Sequence, residues 1–445
     1  MTRWLLGKFH NPANLNLINR IGIHSGLALK HSPLQVACHS EEMARFEHNS
    51  PGSRYARSHP FVPPVTGKHT AANSVWPLIA VSKYNLGLRP APLSPVIPGI
   101  TVLRAAQWLL DSGIQSETGG FSRYRQTDIA RNMPVSTEIT GYAVSGLCLL
   151  FEESGEEKFL LAARRAADFL CLSAWDPESS SMPFELNASG GYSYFFDCGI
   201  VARSLLWLYR ITNEPLYRST ARKIGISMDR DFASLTSFHP IVLLPCKSPA
   251  PYEIWWSKMP GAFQLKAALA WRDLGEEFGD THFLNLYERM LSFALKHYSE
   301  TLDNESDEVK KMDRLHAWAY FLEGLQPVAD RPAIQFLIRS ALAHGEALRE
   351  SLAPQFLRSD VCAQLLRIKL LAGAKPFDGE LARIGAFQYS CEDPTLNGGF
   401  AFGRRNGTLT PHVNPVSTVF CLQALHYAKQ AAENGLNRAD WRKLI

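Results

Sequence analysis

The 445-residue chain reads as an all-α protein: an (α/α)6 toroid of twelve helices behind an irregular, proline-rich N-terminal extension. Three observations predict this. From Pro98 onward, helical segments of about 14–20 residues alternate with loops, while strand-type alternation is hard to find. The helical segments are of two kinds. One is apolar nearly all round, as in Ile139–Cys148 and Pro415–Leu422, and needs other helices on every side. The other carries a charged stripe, as in Ala162–Asp168, and belongs outside. Finally, links from an inner to the next outer helix are short (153–156, 213–214), whereas links back inward are long (173–193, 233–260, 299–312, 391–413). Six such pairs close a ring, which favours a toroid over an open solenoid.

In chain order the predicted helices begin with Pro98–Ile114, where Val102, Ala105, Ala106, Leu109 and Leu110 share one face. Thr137–Glu152, Glu157–Leu172, Tyr194–Thr212, Pro215–Phe232, Gly261–Phe278 and Thr281–Tyr298 follow. Asp313–Pro327, Pro332–Leu352, Ser359–Ala372, Pro376–Ser390 and Asn414–Ala431 complete the set. The inner helices start near Glu138, Asp197, Gly261, His316, Asp360 and Asn414, a spacing that marks repeated supersecondary units.

The organisation is therefore 1–97 as an extension, 98–431 as the toroid and 432–445 as a tail. Residues 1–97 hold 10 Lys/Arg against 3 Asp/Glu, while the remainder holds 36 against 39, so the formal +4 is a +7 arm on a −3 body. The arm could meet an anionic partner or a membrane surface, or lie solvated against the body. Nine prolines between Pro51 and Pro98 exclude long helices there. The seven histidines of this region fit no metal-ligand spacing, and the eight cysteines are scattered without a CxxC pair. A soluble, cytoplasmic protein with reduced thiols and neither metal nor cofactor is the expectation. The longest apolar runs are too short to span a bilayer, and no nucleic-acid-binding module accompanies the basic arm.

Long links that all lead into inner-helix N-termini gather those termini at one mouth, where positive helix ends and polar side chains meet. Glu138 and Tyr142 stand at the first such start, Asp197 at the second, His316 at the fourth, Asp360 and Gln364 at the fifth, and His412 and Asn414 at the sixth. Any one acid there can simply cap its helix. Recurrence of Glu138, Asp197 and Asp360 beside His316 points to a functional ring. Two Gly-Gly-Phe turns, at Gly119 and Gly398, precede the first and last inner helices. Arg123 and Tyr124 follow one, Arg404 the other, offering a stacking ring and guanidinium groups to a sugar or carboxylate; a plain rim turn is the competing reading.

The series Gly119-Gly120-Phe121, Glu138-Ile139-Thr140-Gly141-Tyr142, Phe196-Asp197-Cys198-Gly199, Ser359-Asp360-Val361-Cys362-Ala363-Gln364 and Gly398-Gly399-Phe400 resembles the six-hairpin toroid of bacterial exopolysaccharide-biosynthesis (VpsJ-like) proteins. It is more distantly similar to unsaturated glucuronyl hydrolases, sugar 2-epimerases and glucuronyl C5-epimerases. The resemblance spans about three quarters of the chain and implies a glycoside hydrolase- or sugar epimerase-like protein of polysaccharide metabolism or biosynthesis, with a uronic-acid or amino-sugar glycan in the cavity. Glu138, Asp360, Tyr142 and His316 are the expected catalytic groups. Arg123, Tyr124, Asp197, Gln364, Arg404, His412 and Asn414 are the expected substrate contacts. Hydrolysis by two carboxylates and epimerisation by a Tyr or His proton donor both remain open. So do a non-catalytic glycan-binding or scaffold toroid and, more weakly, an isoprenoid cyclase or prenyltransferase. The last would need an acid motif that only Asp229-Arg230-Asp231, on an outer helix end, resembles.

Overall fold

A computed structural model describes residues 98–445 except 187–190, 303–304, 377, 434 and 437. The basic extension 1–97, and the partner proposed for it, lie outside the described residues. Twelve α-helices are present: α1 (Pro98–Asp111), α2 (Thr137–Ser154), α3 (Glu157–Asp168), α4 (Phe195–Thr212), α5 (Pro215–Phe232) and α6 (Gln264–Phe278). They continue with α7 (Thr281–His297), α8 (Glu308–Gly324), α9 (Pro332–Leu352), α10 (Ser359–Leu371), α11 (Asp378–Gly385) and α12 (Pro415–Glu433).

The even-numbered helices form the inner ring. Each packs on the next, and α12 packs back on α2, so the ring is closed. Their composition explains the placement: twelve or more residues of α2, α4, α10 and α12 are buried, on every face. The outer helices bury one stripe only, as in α3 with Phe159, Leu160, Ala163 and Ala167. Helix α1 supplies the sixth outer position by packing against α12, fastened by Arg104 to the Tyr389 carbonyl (2.7 Å) and by the Trp108 indole to the Thr395 carbonyl (2.9 Å). Short inner-to-outer links share one device. Gly155, Asn213 and Gly279 each take a left-handed conformation, and Glu214 and Asp280 then cap α5 and α7 through the backbone N–H groups of Leu216 and His282.

The loops differ from the sequence expectation in carrying short strands, none longer than three residues among the described residues. β1 (Arg125–Gln126) pairs with β2 (Arg131–Asn132) and with β8 (His412–Val413). β3 (Tyr192–Tyr194) pairs with β4 (Ile241–Leu243), and β6 (Gly403–Arg405) joins β5 (Phe356–Arg358) to β7 (Thr408–Leu409). Period-2 alternation has no room to show in two or three residues. These ladders tie 173–193 to 233–260, and 391–413 to the loops before α2 and α10, and so fix those parts of the rim.

The Gly-Gly-Phe turns are structural. A Cβ on Gly119 would lie 2.2 Å from the Arg165 carbonyl oxygen of α3, and one on Gly398 would lie 2.2 Å from that of Arg104 on α1. Both glycines have φ near +97°, a region L side chains rarely enter. The phenylalanines are fully buried; the Phe121 and Phe400 N–H groups donate to Thr140 Oγ1 (2.9 Å) and Thr418 Oγ1 (3.1 Å), one turn into α2 and α12. Each turn thus wedges an outer helix against an inner one, and the repetition is architectural. Several boundaries also move, with α1 ending at Asp111 rather than Ile114 and α3 at Asp168 rather than Leu172. Helix α6 begins at Gln264 rather than Gly261, and α11 is shorter than expected. Helix α8 begins at Glu308, which places His316 more than two turns in rather than at the helix start.

Candidate functional site

The mouth is built from inner-helix starts and the loops above them. On one side, Thr137 donates its hydroxyl to the Pro183 carbonyl (2.8 Å), and the Phe195 N–H donates to the Pro240 carbonyl (2.9 Å), which seats the first turns of α2 and α4. Glu138 and Asp197 project from those turns. Burial raises the Glu138 carboxyl to about 7. Asp197 is 4% exposed, its Oδ2 has no hydrogen-bond partner, and burial followed by the charge of Glu138 lifts it well above the usual carboxylate range. Tyr194 is pushed up by burial and then by Asp197, with Glu138 and Glu185 contributing, so these groups share one electrostatic neighbourhood.

Across the ring, α8 and α10 hold a group of different character. Arg358 reaches Asp360 with two bonds (Nε to Oδ1 3.0 Å, Nη2 to Oδ2 2.6 Å) and Asp313 with a third (2.7 Å). Burial would raise the Asp360 carboxyl, but Arg358, His316 and the Val361 N–H together hold it below its ordinary value. His316 Nδ1 lies 2.7 Å from Gln364 Oε1 and 3.9 Å from Asp360 Oδ2. Burial, seconded by Arg358, depresses the imidazole to about 3, so it is neutral under ordinary conditions. An oxygen partner at Nδ1 makes that nitrogen the donor and leaves Nε2 as an acceptor.

Between the two halves lies an aromatic floor. The Tyr142 hydroxyl donates to that of Tyr320 (3.0 Å), and Phe420 packs edge-on to Tyr142 at 5.1 Å. Tyr320 sits 4.6 Å from Phe196 and 4.3 Å from His316. Trp256 closes the circuit, 5.0 Å from Phe263 and 6.1 Å from His316. Burial and the charges of Glu138, Asp360 and Glu323 raise the Tyr320 hydroxyl well above its ordinary value, so both carboxylates act on the same floor residue.

The remaining expected residues divide. Arg123 is at the rim, ion-paired to Glu185 (3.1 Å) and over the Phe184 ring. Tyr124 and His412 pack edge to face at 4.9 Å on the neighbouring stretch of rim. Arg404 is not in the mouth: it donates to the Ala386 carbonyl (2.8 Å) beyond the end of α11, because the register of β6 with β5 turns it outward. Asn414 accepts from the Ser417 N–H (2.6 Å) and serves as the cap of α12. Asp360, expected as a proton carrier, is engaged on both oxygens by Arg358. The Tyr142 hydroxyl is buried beneath the mouth rather than exposed in it.

Sequence reasoning passed over Arg358, Trp256 and Tyr320, and quoted Phe196 in a motif without giving it a role in the site. Tyr320 was findable, since it follows His316 at i+4 and so shares its helix face. Arg358 directly precedes Ser359-Asp360. Trp256 comes from a loop without periodicity and leaves no such trace. Asp231, in the acid motif of the outer helix, is ion-paired to Arg230 and Lys247, and Asp229 to His282. Among the described residues no three His, Cys, Asp or Glu side chains stand together as a metal site, and no helix is long and apolar enough to cross a membrane.

No protein-family model matches the chain, and no curated protein does. Solved structures do. A sugar epimerase from a ruminal bacterium is similar with a TM-score of 0.57 at 10% identity, over 73% of this chain and 98% of that one. Cellobiose 2-epimerase from Bacillus thermoamylovorans gives 0.56 at 11% identity, over 74% and 99%. An alpha-amylase from Clostridium perfringens gives 0.51 at 12% identity, over 74% and 97%. At such identities the likeness establishes the shared fold: this chain is an all-α (α/α)6 toroid.

Proposed function

We propose that the protein is a carbohydrate-active enzyme that moves a proton at a sugar carbon next to a carbonyl or carboxyl group, in the manner of an epimerase or isomerase. The observation that carries this is Glu138: a half-buried carboxyl raised by burial to about 7, beside Asp197, whose carboxyl burial and the Glu138 charge lift well above the usual range, over a floor of aromatic rings. A group with that pKa can both take and return a proton at neutral pH. Its carboxylate would accept the proton of an acidified C–H, and the Asp197 carboxyl would donate a hydrogen bond to the oxygen on which the negative charge develops. His316, neutral and oriented by Gln364, would accept from a sugar hydroxyl through Nε2. Hydrolysis would call for a second free carboxylate across the ring, and Asp360, which stands there, is bound on both oxygens. That the fold is shared with a sugar epimerase and a cellobiose 2-epimerase is consistent with this chemistry.

Of the two expected sugar classes, the charge balance favours the amino sugar. Glu185, Asp313 and Asp360 outnumber Arg123 and Arg358, to which they are paired, and Glu138 adds further negative charge as it ionises near pH 7. Exposed Trp255, adjacent to Trp256 in the chain, and exposed Tyr192 and Tyr252 on the long loops offer further aromatic faces, which suits a chain of sugar residues rather than a single one. The test is a fluorescence binding screen of chitosan oligomers against uronate oligomers. Saturable quenching by the former, lost in Trp256→Ala with the helical content unchanged, is the expected result. Quenching by neither, in a folded protein, would remove the sugar-binding premise.

A further inference from the structure

The end of the toroid opposite Glu138 is filled by residues 441–445, and the way it is filled is specific. Four inner helices contribute long polar side chains that grip the backbone of this segment. Arg203 of α4 donates to the carbonyls of Leu444 (2.8 Å), Arg442 (3.2 Å) and Trp441 (3.3 Å). Lys266 of α6 donates to that of Ile445 (2.9 Å), and Arg367 of α10 to the same oxygen (3.2 Å). Gln423 of α12 reads the backbone in both directions, donating to the Lys443 carbonyl (2.6 Å) and accepting from the Ile445 N–H (3.0 Å). The cations are held in turn by buried acids: Arg203 by Asp273 (2.8 Å), and Lys266 and Arg367 by Glu323 of α8 (3.1 and 2.5 Å). Lys266, Glu323, Arg367 and Gln423 are wholly buried.

A buried lysine and two buried arginines facing only two acids are costly unless other acceptors meet them. Here the further acceptors are main-chain oxygens, that of Ile445, the last residue of the sequence given, among them, so the polar part of the grip is indifferent to side-chain identity. Selectivity falls to the apolar anchors Trp441, Leu444 and Ile445, all under 7% exposed, while Arg442 and Lys443 between them point out to Glu276 and Glu152. That division of labour, with backbone read by fixed donors and three apolar side chains, Trp441, Leu444 and Ile445, buried as anchors, is the chemistry of peptide recognition.

The contacts also lead towards the mouth. The Arg367 guanidinium lies 4.0 Å over the Phe420 ring, which packs against Tyr142 and Tyr320, the floor of the candidate site.

We propose that this end of the toroid is a peptide-binding site, filled in cis by residues 441–445, and that its occupant holds the Tyr142–Tyr320 floor in place. The peptide-binding claim does not depend on the sugar chemistry proposed above. The test is to insert a specific protease sequence between Glu433 and Arg438 of the full chain, cut it after folding, and follow the released fragment. The fragment is expected to co-elute with the body at about 1 μM and to leave only in denaturant. A synthetic peptide of the same sequence should rebind the stripped body and restore the near-ultraviolet tyrosine signal. Replacing Trp441 and Leu444 by alanine in that peptide should weaken rebinding by at least about tenfold, a comparison that leaves the body unaltered. Loss of the fragment from the freshly cut protein, whether or not the body unfolds, overturns the proposal. So does equal rebinding of a peptide with the apolar anchors scrambled. An unchanged tyrosine signal after removal of the fragment would refute the claim that the occupant positions the floor.

Discussion

Replacing Glu138 by glutamine should stabilise the protein at alkaline pH and leave it unchanged at acid pH. The folded carboxyl titrates at about 7 against an ordinary 4.5, because burial disfavours its charge. The folded state therefore keeps a proton that the unfolded chain releases, and stability falls as pH rises from about 4.5 through about 7. At about 1.36 kcal/mol per unit the ceiling is ~3 kcal/mol. Partial exposure of Glu138 and its sharing of charge with Asp197 reduce the realised figure to about 1–2 kcal/mol. Glutamine mimics the protonated form and relieves Asp197 of a negative neighbour, so Glu138→Gln should gain that amount at pH 8 and nothing near pH 4.5. Urea unfolding of both proteins at the two pH values measures it. A mutant curve offset equally at both, or destabilised at pH 8, would show that Glu138 is an ordinary ionised helix-cap residue and would remove it as a proton carrier.

Asp360→Asn should behave in the opposite way. It leaves the buried Arg358 guanidinium with Asp313 as its remaining carboxylate and should cost on the order of 2 kcal/mol at pH 7 in the same unfolding assay; a loss below about 0.5 kcal/mol would mean the pair is not the structural link described. Gly119→Ala and Gly398→Ala should each cost about 2–4 kcal/mol through the positive φ and the contact with an outer-helix carbonyl, and equal effects at the two sites would reflect their equivalent roles. Nitrogen-15 spectra should show His316 neutral and protonated at Nδ1 down to about pH 5; a titration near 6.5 would contradict its burial beside Arg358.

Much of the fold was legible because it rests on periodicity. The all-round apolar character of α2, α4, α10 and α12, the single stripes of α3 and α7, and the alternation of short and long links all follow from a helix having to bury its apolar face. The mouth was legible to the extent that its residues sit at helix starts, which is why Glu138, Asp197 and Asp360 were found. What the sequence could not convey was partnership. Nothing in Ser359-Asp360 tells that Arg358 turns back on Asp360, or that Asp197 rather than Asp360 shares the neighbourhood of Glu138. Arg404 resembled Arg123 in its motif context, and only the register of a three-residue strand separates the two. Residues 432–445 read as a tail because Trp441, Leu444 and Ile445 are too few to show a period, yet they occupy the axis of the ring.

The most direct test of the account is hydrogen exchange into the sugar itself. Chitosan oligomers and glucosamine are incubated with the protein in deuterium oxide and the sugar protons followed by NMR. The account predicts enzyme-dependent loss of a C–H signal next to the carbonyl, with a rate that rises through about pH 7 as Glu138 ionises and is abolished in Glu138→Gln. Exchange that persists in Glu138→Gln would contradict the central claim, and so would cleavage of the oligomers without deuterium entering the sugar.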